Sequence, residues 1–383
     1  MTKATQPSPS GPRVLYLFKG GRQQRITGTQ PFPTEFFYGL LELRERGMNI
    51  DMRDEGELRA LAGHTGPLLA LACWLFPRLF PRFPVGLWFA ALLARRPVRE
   101  MLNDYDVLVA TTQTLGLCVG LLRRLGLVRQ RVVFIVMGTF PDHLSPWYRP
   151  IVRWLLGGCE LAAISEGEAA HLTKVLGAEQ AIHFLPFGAD AGFWTPAEAP
   201  ANGDPYVFSI GNDGNRDYHT LVESWRPEYP TLRIVTRLPV ITDKPNIEVI
   251  AGDWREVIFS DVAIRDMLRA SRFVVLPIRQ TIQPSGQSAC LQAMACGKAV
   301  IVSKIRGLWD GRAMRHGKTC FLVEPGSVDA LQQAVAKLLR EPSLADRLGV
   351  AARAVIESHL NTTTMSNAMR EIVALPERPS SAS

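Results

Sequence analysis

Nowhere does the 383-residue chain hold the run of about eighteen apolar residues that a helix needs to cross a bilayer, so no spanning helix is expected. Its six cysteines, Cys73, Cys118, Cys159, Cys290, Cys296 and Cys320, are scattered, and none stands in a CxxC pair. No Cys and His cluster has zinc spacing, which argues against a zinc ribbon or a disulfide scaffold and for buried thiols in a reducing compartment. No repeat of solenoid period is present. The opening residues MTKATQPSPSGPR carry no apolar signal core, and residues 1–12 and the tail PERPSSAS are expected to be disordered. These absences predict a cytoplasmic chain without metal or cofactor.

What remains is ordinary in bulk and uneven in charge. Apolar residues make up 47% and charged residues 21%, as in a globular protein, and the length suits two α/β domains. The formal net charge is +7. Nine arginines between Pro67 and Arg131 face only Glu100, Asp104 and Asp106, and Trp74, Phe76, Phe80, Phe83, Trp88 and Phe89 are interleaved with them. Such a stretch can pack as an amphipathic region on its own domain or rest on an anionic membrane face. No recognition motif accompanies the charge, so a nucleic-acid partner is not expected.

Short Val/Ile-rich runs alternate with helical patterns, which predicts parallel βαβ units. RVLYLF (13–18), DVLVATT (106–112) and RVVFIVMG (131–138) fall in the first half. YVFSIG (206–211), LRIVT (232–236), IEVIAG (247–252), FVVLPI (273–278) and AVIVSK (299–304) fall in the second. Ser165 and Glu168 form a capping-box pattern that opens a helix, and Gly177 closes it. A Pro/Ala/Gly-rich connector, 195–205, separates residues 13–194 from 206–360, and 361–383 are read as a terminal helix and tail. Two doubly wound domains then bring the carboxyl ends of their sheets to one cleft.

The segment QPSGQSACLQAMACGKAVIVS (283–303) carries the most chemistry. A loop after FVVLPI ends in Ser285, Gly286 and Gln287, helix formers follow, and Gly297 stops them. Unpaired N–H groups and the helix dipole at such a start favour an anion, and Gly286 lets it approach the backbone. Lys19-Gly20-Gly21-Arg22 follows the first strand and can lie against a ligand. His143, in MGTFPDHLSPW after RVVFIV, is a candidate general base, as is Asp142; a purely structural His143 is the alternative.

Residues 283–303 resemble the donor-binding signature of family 4 retaining glycosyltransferases, the glycosyl transferases group 1. FSIGNDGNRDYHTLVES (208–224), RGLWDGRAMRHGKTCFLVEPGSVDALQQAVAKLL (306–339), AISEGEAAHLTKVLG (163–177) and LPFGADAGFWTP (185–196) resemble further blocks of that family in the same order. The resemblance spans 163 to roughly 360. It implies an α/β fold of GT-B type, two Rossmann-like doubly wound domains facing across a cleft. It also implies metal-independent, retaining transfer from a nucleotide-diphosphate sugar to a glycan, lipid-linked or small-molecule acceptor, a membrane-proximal one being suggested by the basic aromatic stretch.

Residue by residue, two glutamates that the family sets eight positions apart fall at Pro284 and Gln292. The second holds the nucleotide ribose, which Gln292 can serve as an amide; Gln283 or Gln287 can replace the first, at the sugar. The family's phosphate-neutralising Arg falls at Asn212, just after Gly211, and its Lys at or near Arg216. Arg216 is therefore the leading diphosphate ligand, and Arg279 is a candidate for the second charge. The substitutions at 284 and 292 keep open a non-catalytic protein that binds nucleotide sugar or glycan.

Overall fold

A computed structural model describes residues 11–63, 74–75, 85–138, 140, 142, 145–198, 204–251 and 259–374. Two six-stranded, wholly parallel sheets form the frame. The first contains β1 (Val14–Phe18), β2 (Ile50–Asp54), β3 (Val107–Ala110), β4 (Arg131–Val136), β5 (Glu160–Ala163) and β6 (Ile182–Phe184), in the order β2-β1-β3-β4-β5-β6. The second contains β7 (Val207–Ile210), β8 (Leu232–Thr236), β9 (Ile247–Ala251), β10 (Val274–Leu276), β11 (Val300–Ser303) and β12 (Phe321–Val323), in the order β12-β11-β10-β7-β8-β9. This is the α/β, doubly wound arrangement expected.

The physical cause is in the strand sequences. VLYLF, VLVA, RVVFIV, VFSI and VIVS are buried at every position, because helices cover both faces of a parallel sheet. The eight runs expected as strands all contain one. β2, β5, β6 and β12 were not anticipated. β2 (IDMRD) is an edge strand that alternates buried and half-exposed residues, β5 reads ELAA, and β6 and β12 hold three residues each. Such short or charged runs carry too little hydrophobic signal of their own.

Helix starts follow local chemistry. Ser165 Oγ accepts from the Glu168 N–H at 3.1 Å and opens the helix Glu166–Leu176, and Gly177 follows it at φ 99°. Past residue 360 the chain returns to the first domain. Helix Thr362–Ala374 packs on helix Leu40–Glu45, and Arg131 donates to the carbonyls of Ile372 and Val373.

Each sheet has one place where the strand order reverses, between β1 and β3 and between β7 and β10. Connections leave such a point in opposite directions and open a crevice at the strands' carboxyl ends. The residues just past β1, β7 and β10 build the site below.

Candidate functional site

Arg216 is its centre. The chain leaves β7 through Gly211, turns through residues 212–215, and pairs Arg216 with Ile278 at the end of β10. The guanidinium is 5% exposed and lies 2.8 Å from the Asp213 carboxylate. It is threaded between two glycines in the left-handed region. A Cβ on Gly211 would lie 2.1 Å from Arg216 Nε, and one on Gly286 would lie 3.0 Å from Nη1. Only glycine leaves room for this side chain at both points. Arg216 Nη1 is buried without a hydrogen-bond partner, a costly state for a cation's donor and the mark of a place for an anion.

Helix Gln287–Ala295 begins beside it. Gly286 is its N-cap at φ 80°, and no side chain caps the start. The first N–H groups of a helix lack intrahelical partners; the Gln287 N–H donates to the Pro284 carbonyl at 3.2 Å, and Ser288, next in the helix, lines the same space as Arg216.

Two adjoining cavities meet at Asp213, Arg216 and Ser288. The first, of about 390 Å³, is also lined by Arg22, Arg25, Phe36, Trp194, Gly211, Asn212, Asp261, Ala289 and Gln292. The second, of about 330 Å³, is lined by Met137, Gly138, Ile164, Phe187, Asn215 and the stretch from Gln283 through Gln287. Both volumes suit a small ligand held between domains.

The first domain adds charge to the larger cavity. Gly20 and Gly21 end the turn after β1 and start helix Arg22–Thr27. Arg22 stacks over Phe36 and Phe37 at 5.5 and 5.8 Å, and burial lowers its guanidinium from the ordinary value. Arg25 pairs with Asp261 of the second domain at 2.9 Å.

The expected site residues separate into groups. Arg216, Gly211, Ser285, Gly286, Gln287, Gln283 and Gln292 all line one or other cavity. Ser285 Oγ accepts from Asn215 Nδ2 at 2.7 Å. Gln287 Nε2 donates to the Ile164 carbonyl at 2.9 Å, while its buried Oε1 has no partner. Gln283 has both ends of its amide engaged: Nε2 donates to the Gly138 and Phe140 carbonyls, and Oε1 accepts from Asn215. It joins the domains rather than presenting a free group. Gly20 and Gly21 stand outside the lining and act by placing Arg22.

Arg279 lines neither cavity. It is exposed, and its guanidinium turns back toward the Gly214 carbonyl at 3.4 Å, because its backbone N–H is held by the Asn215 carbonyl on the outer side of the turn. Asp142 also stands apart. Oδ1 accepts from Thr281 Oγ1 and the Ile282 N–H, and Oδ2 pairs with Arg306, so both oxygens bind the second domain's loop. His143 lies outside the described residues.

Arg22, Arg25 and Glu35 were not anticipated as site residues. Glu35 is completely buried and accepts from Trp194 Nε1 at 2.9 Å and from Gln292 Nε2 at 3.0 Å. Burial raises its carboxyl to about 7, against hydrogen bonds that lower it. One signal was legible: an acid inside the aromatic run PFPTEFFYG has to find partners if that run is core.

Residues 204–341 match the family described as Glycosyl transferases group 1. No curated protein matches the chain in sequence. Among solved structures, a glycosyltransferase from Rickettsia africae ESF-5 is similar at 14% identity and TM-score 0.65, over 94% of this chain and 98% of that one. HepE of Anabaena, solved in complex with UDP-glucose, is similar at 16% identity and TM-score 0.66, over 94% and 98%. Sucrose-phosphate synthase from Thermosynechococcus elongatus is similar at 18% identity and TM-score 0.64, over the same shares. The fold is therefore GT-B, and the second domain is similar to that of group 1 glycosyltransferases.

Proposed function

We propose that this chain, a GT-B protein with a group 1 glycosyltransferase domain, transfers a sugar from a nucleotide diphosphate to an acceptor hydroxyl, with the diphosphate seated on Arg216 and the start of helix Gln287–Ala295. The unpartnered Nη1 of Arg216, buried at the junction of two cavities, is the observation that carries this. The nucleotide occupies the larger cavity beside Trp194 and Gln292, and the sugar projects past Ser288 into the smaller one.

In the reaction the bond between the anomeric carbon and the diphosphate oxygen breaks, the acceptor hydroxyl oxygen bonds to that carbon and its proton passes to the departing diphosphate, and positive charge grows on the sugar as negative charge grows on the leaving group. Arg216, Arg22 and the backbone N–H groups after Gly286 are fixed in place before this happens. A preorganised positive field of that kind stabilises the departing diphosphate without rearranging at the moment of bond breaking. Metal-independent transfer is part of this proposal, and so is retention of configuration, which rests on the family resemblance.

The acceptor enters at the smaller cavity, whose rim includes Met137 and Gly138. The next described helix, Tyr148–Leu156, exposes Trp154 beside Arg149 and Arg153, and Trp147 precedes it. This exposed basic aromatic helix, with the stretch 67–131 of which residues 67–73 and 76–84 lie outside the described residues, supports a lipid-linked or otherwise membrane-proximal acceptor. Among the described residues no helix is long and apolar enough to cross a membrane.

A panel of nucleoside diphosphates tests the proposal by thermal shift and calorimetry. One of them at a hundred times its Kd stabilises the fold by about 2.7 kcal/mol. Arg216→Ala retains the fold and loses about thirtyfold or more in that affinity, the scale of a charged hydrogen bond. No stabilisation by any member, or unchanged affinity in Arg216→Ala, overturns it. Tight binding without donor turnover over a mixed acceptor pool would instead favour a non-catalytic nucleotide-sugar-binding protein.

A further inference from the structure

Gln292 is the one amide side chain lining the larger cavity that is held from the opposite domain. Its Nε2 donates to Glu35 Oε1 at 3.0 Å. The same oxygen accepts from Trp194 Nε1 at 2.9 Å, and Glu35 Oε2 accepts from the Asp190 N–H at 3.3 Å. Asp190 is fixed in turn, its Oδ2 accepting from the Thr34 N–H and hydroxyl, one residue before Glu35. Glu35 therefore sits in a fully buried cage whose N–H groups all point at its oxygens.

We propose that Glu35 is a positioning residue: by accepting from Gln292 Nε2 it turns Gln292 Oε1 into the nucleotide cavity, as an acceptor for a ligand hydroxyl. This rests on the functional reading above. The opposite amide orientation would set Gln292 Oε1 against Glu35 Oε1, acceptor against acceptor, in a place without water to relieve it. The orientation also survives protonation of Glu35. Both lone pairs of Oε1 are taken by Trp194 and Gln292, so an added proton resides on Oε2.

The pairing also explains the residue type at 292. A glutamate there would place a second carboxylate about 3 Å from a buried first one, and two such groups cannot both ionise. One acid and one amide, divided between the domains, give the ligand an acceptor without that repulsion. The acceptor forms fully only when the domains are closed, since Glu35 belongs to one and Gln292 to the other.

The test compares wild type, Glu35→Gln, Glu35→Met and Gln292→Met. Each is titrated with the nucleoside diphosphate that stabilises the protein most and with its analogue lacking both ribose hydroxyls. Wild type prefers the hydroxylated form by about tenfold. Glu35→Gln keeps an oxygen facing Trp194 and Gln292 and holds that preference to within about threefold of wild type, whereas Glu35→Met removes the acceptor and brings the two ligands to within about threefold of each other. Gln292→Met brings the two ligands to within about twofold, and should Glu35→Met not fold, Glu35→Ser, too short to reach Gln292, takes its place. A folded Glu35→Met or Glu35→Ser that keeps the wild-type preference, or a wild type indifferent to the hydroxyls, overturns the proposal while nucleotide binding itself stands. Absence of all nucleotide binding removes the functional reading and this one with it.

Discussion

A carboxyl group sealed from water gives up its proton late, and Glu35 is such a group, at about 7 where burial dominates. The unfolded chain releases that proton near the ordinary value of 4.5. Between these two pH values the folded state binds more protons than the unfolded one, so stability falls as pH rises. The contribution is whole below about 4.5 and gone by about 7, and its size is of order 3 kcal/mol at most. Urea unfolding of wild type and Glu35→Gln across this range should show the wild-type decline flattened in the variant, whatever the offset between them. Parallel curves would mean that Glu35 does not titrate there. The acid itself stands out in the sequence as a charge within an aromatic run. Its partners Trp194 and Gln292, 159 and 257 positions away, were not legible, since nothing local fixes contacts of that span.

At the scale of elements, one arginine joins three pieces of the first domain. Arg131 begins β4, is 7% exposed, and pairs with Glu160 at the start of β5. It also donates to the carbonyls of Ile372 and Val373 in the last turn of helix Thr362–Ala374. Burial opposes the charge on Glu160, but Arg131 and His183 outweigh it and hold the carboxyl down at about 2. Truncating one side of such a pair leaves a buried charge and two helix carbonyls unmatched. Arg131→Met should cost about 3 kcal/mol in urea unfolding and speed amide exchange in residues 362–374 first. Uniform exchange across the chain would show that the helix is held by its apolar face alone. The strands at this scale were largely legible, because runs such as RVVFIV and VIVS need burial on both faces. The short edge strands β6 and β12 were not, because a partner strand rather than their own pattern makes them strands.

Across the whole molecule, the two lobes are tied by hydrogen bonds that cross the cleft. Asp142 holds the loop at Thr281 and Ile282, Gln283 reaches Gly138 and Phe140, Ser165 Oγ donates to the Gly307 carbonyl at 3.0 Å, and Gln287 reaches Ile164. At Gly167 the lobes touch backbone to backbone, where a Cβ would lie 2.1 Å from the Arg306 carbonyl oxygen. Asp142, engaged at both oxygens, acts here as a latch. Asp142→Ala should widen the molecule in solution scattering and raise the donor KM several-fold, with kcat falling by less than about tenfold. A kcat loss of about a thousandfold at unchanged KM would instead return Asp142 to proton transfer.

The sequence by itself determined the fold class, the start of a helix after Pro284 and the position of Arg216 close to a strand end. These depend on near neighbours: the apolar period of a buried strand, a glycine before a helix, a cation one turn from a strand end. Tertiary structure alone decided that Arg22 of the first domain lines the larger cavity and that Glu35 holds Gln292 at its wall. It also decided that Arg279 faces outward, and that Gln283 and Asp142 hydrogen-bond across the lobes. The reason is geometric. What a side chain meets across a cleft depends on how two separately folded sheets are brought together, and that is fixed by the sum of many weak contacts between them.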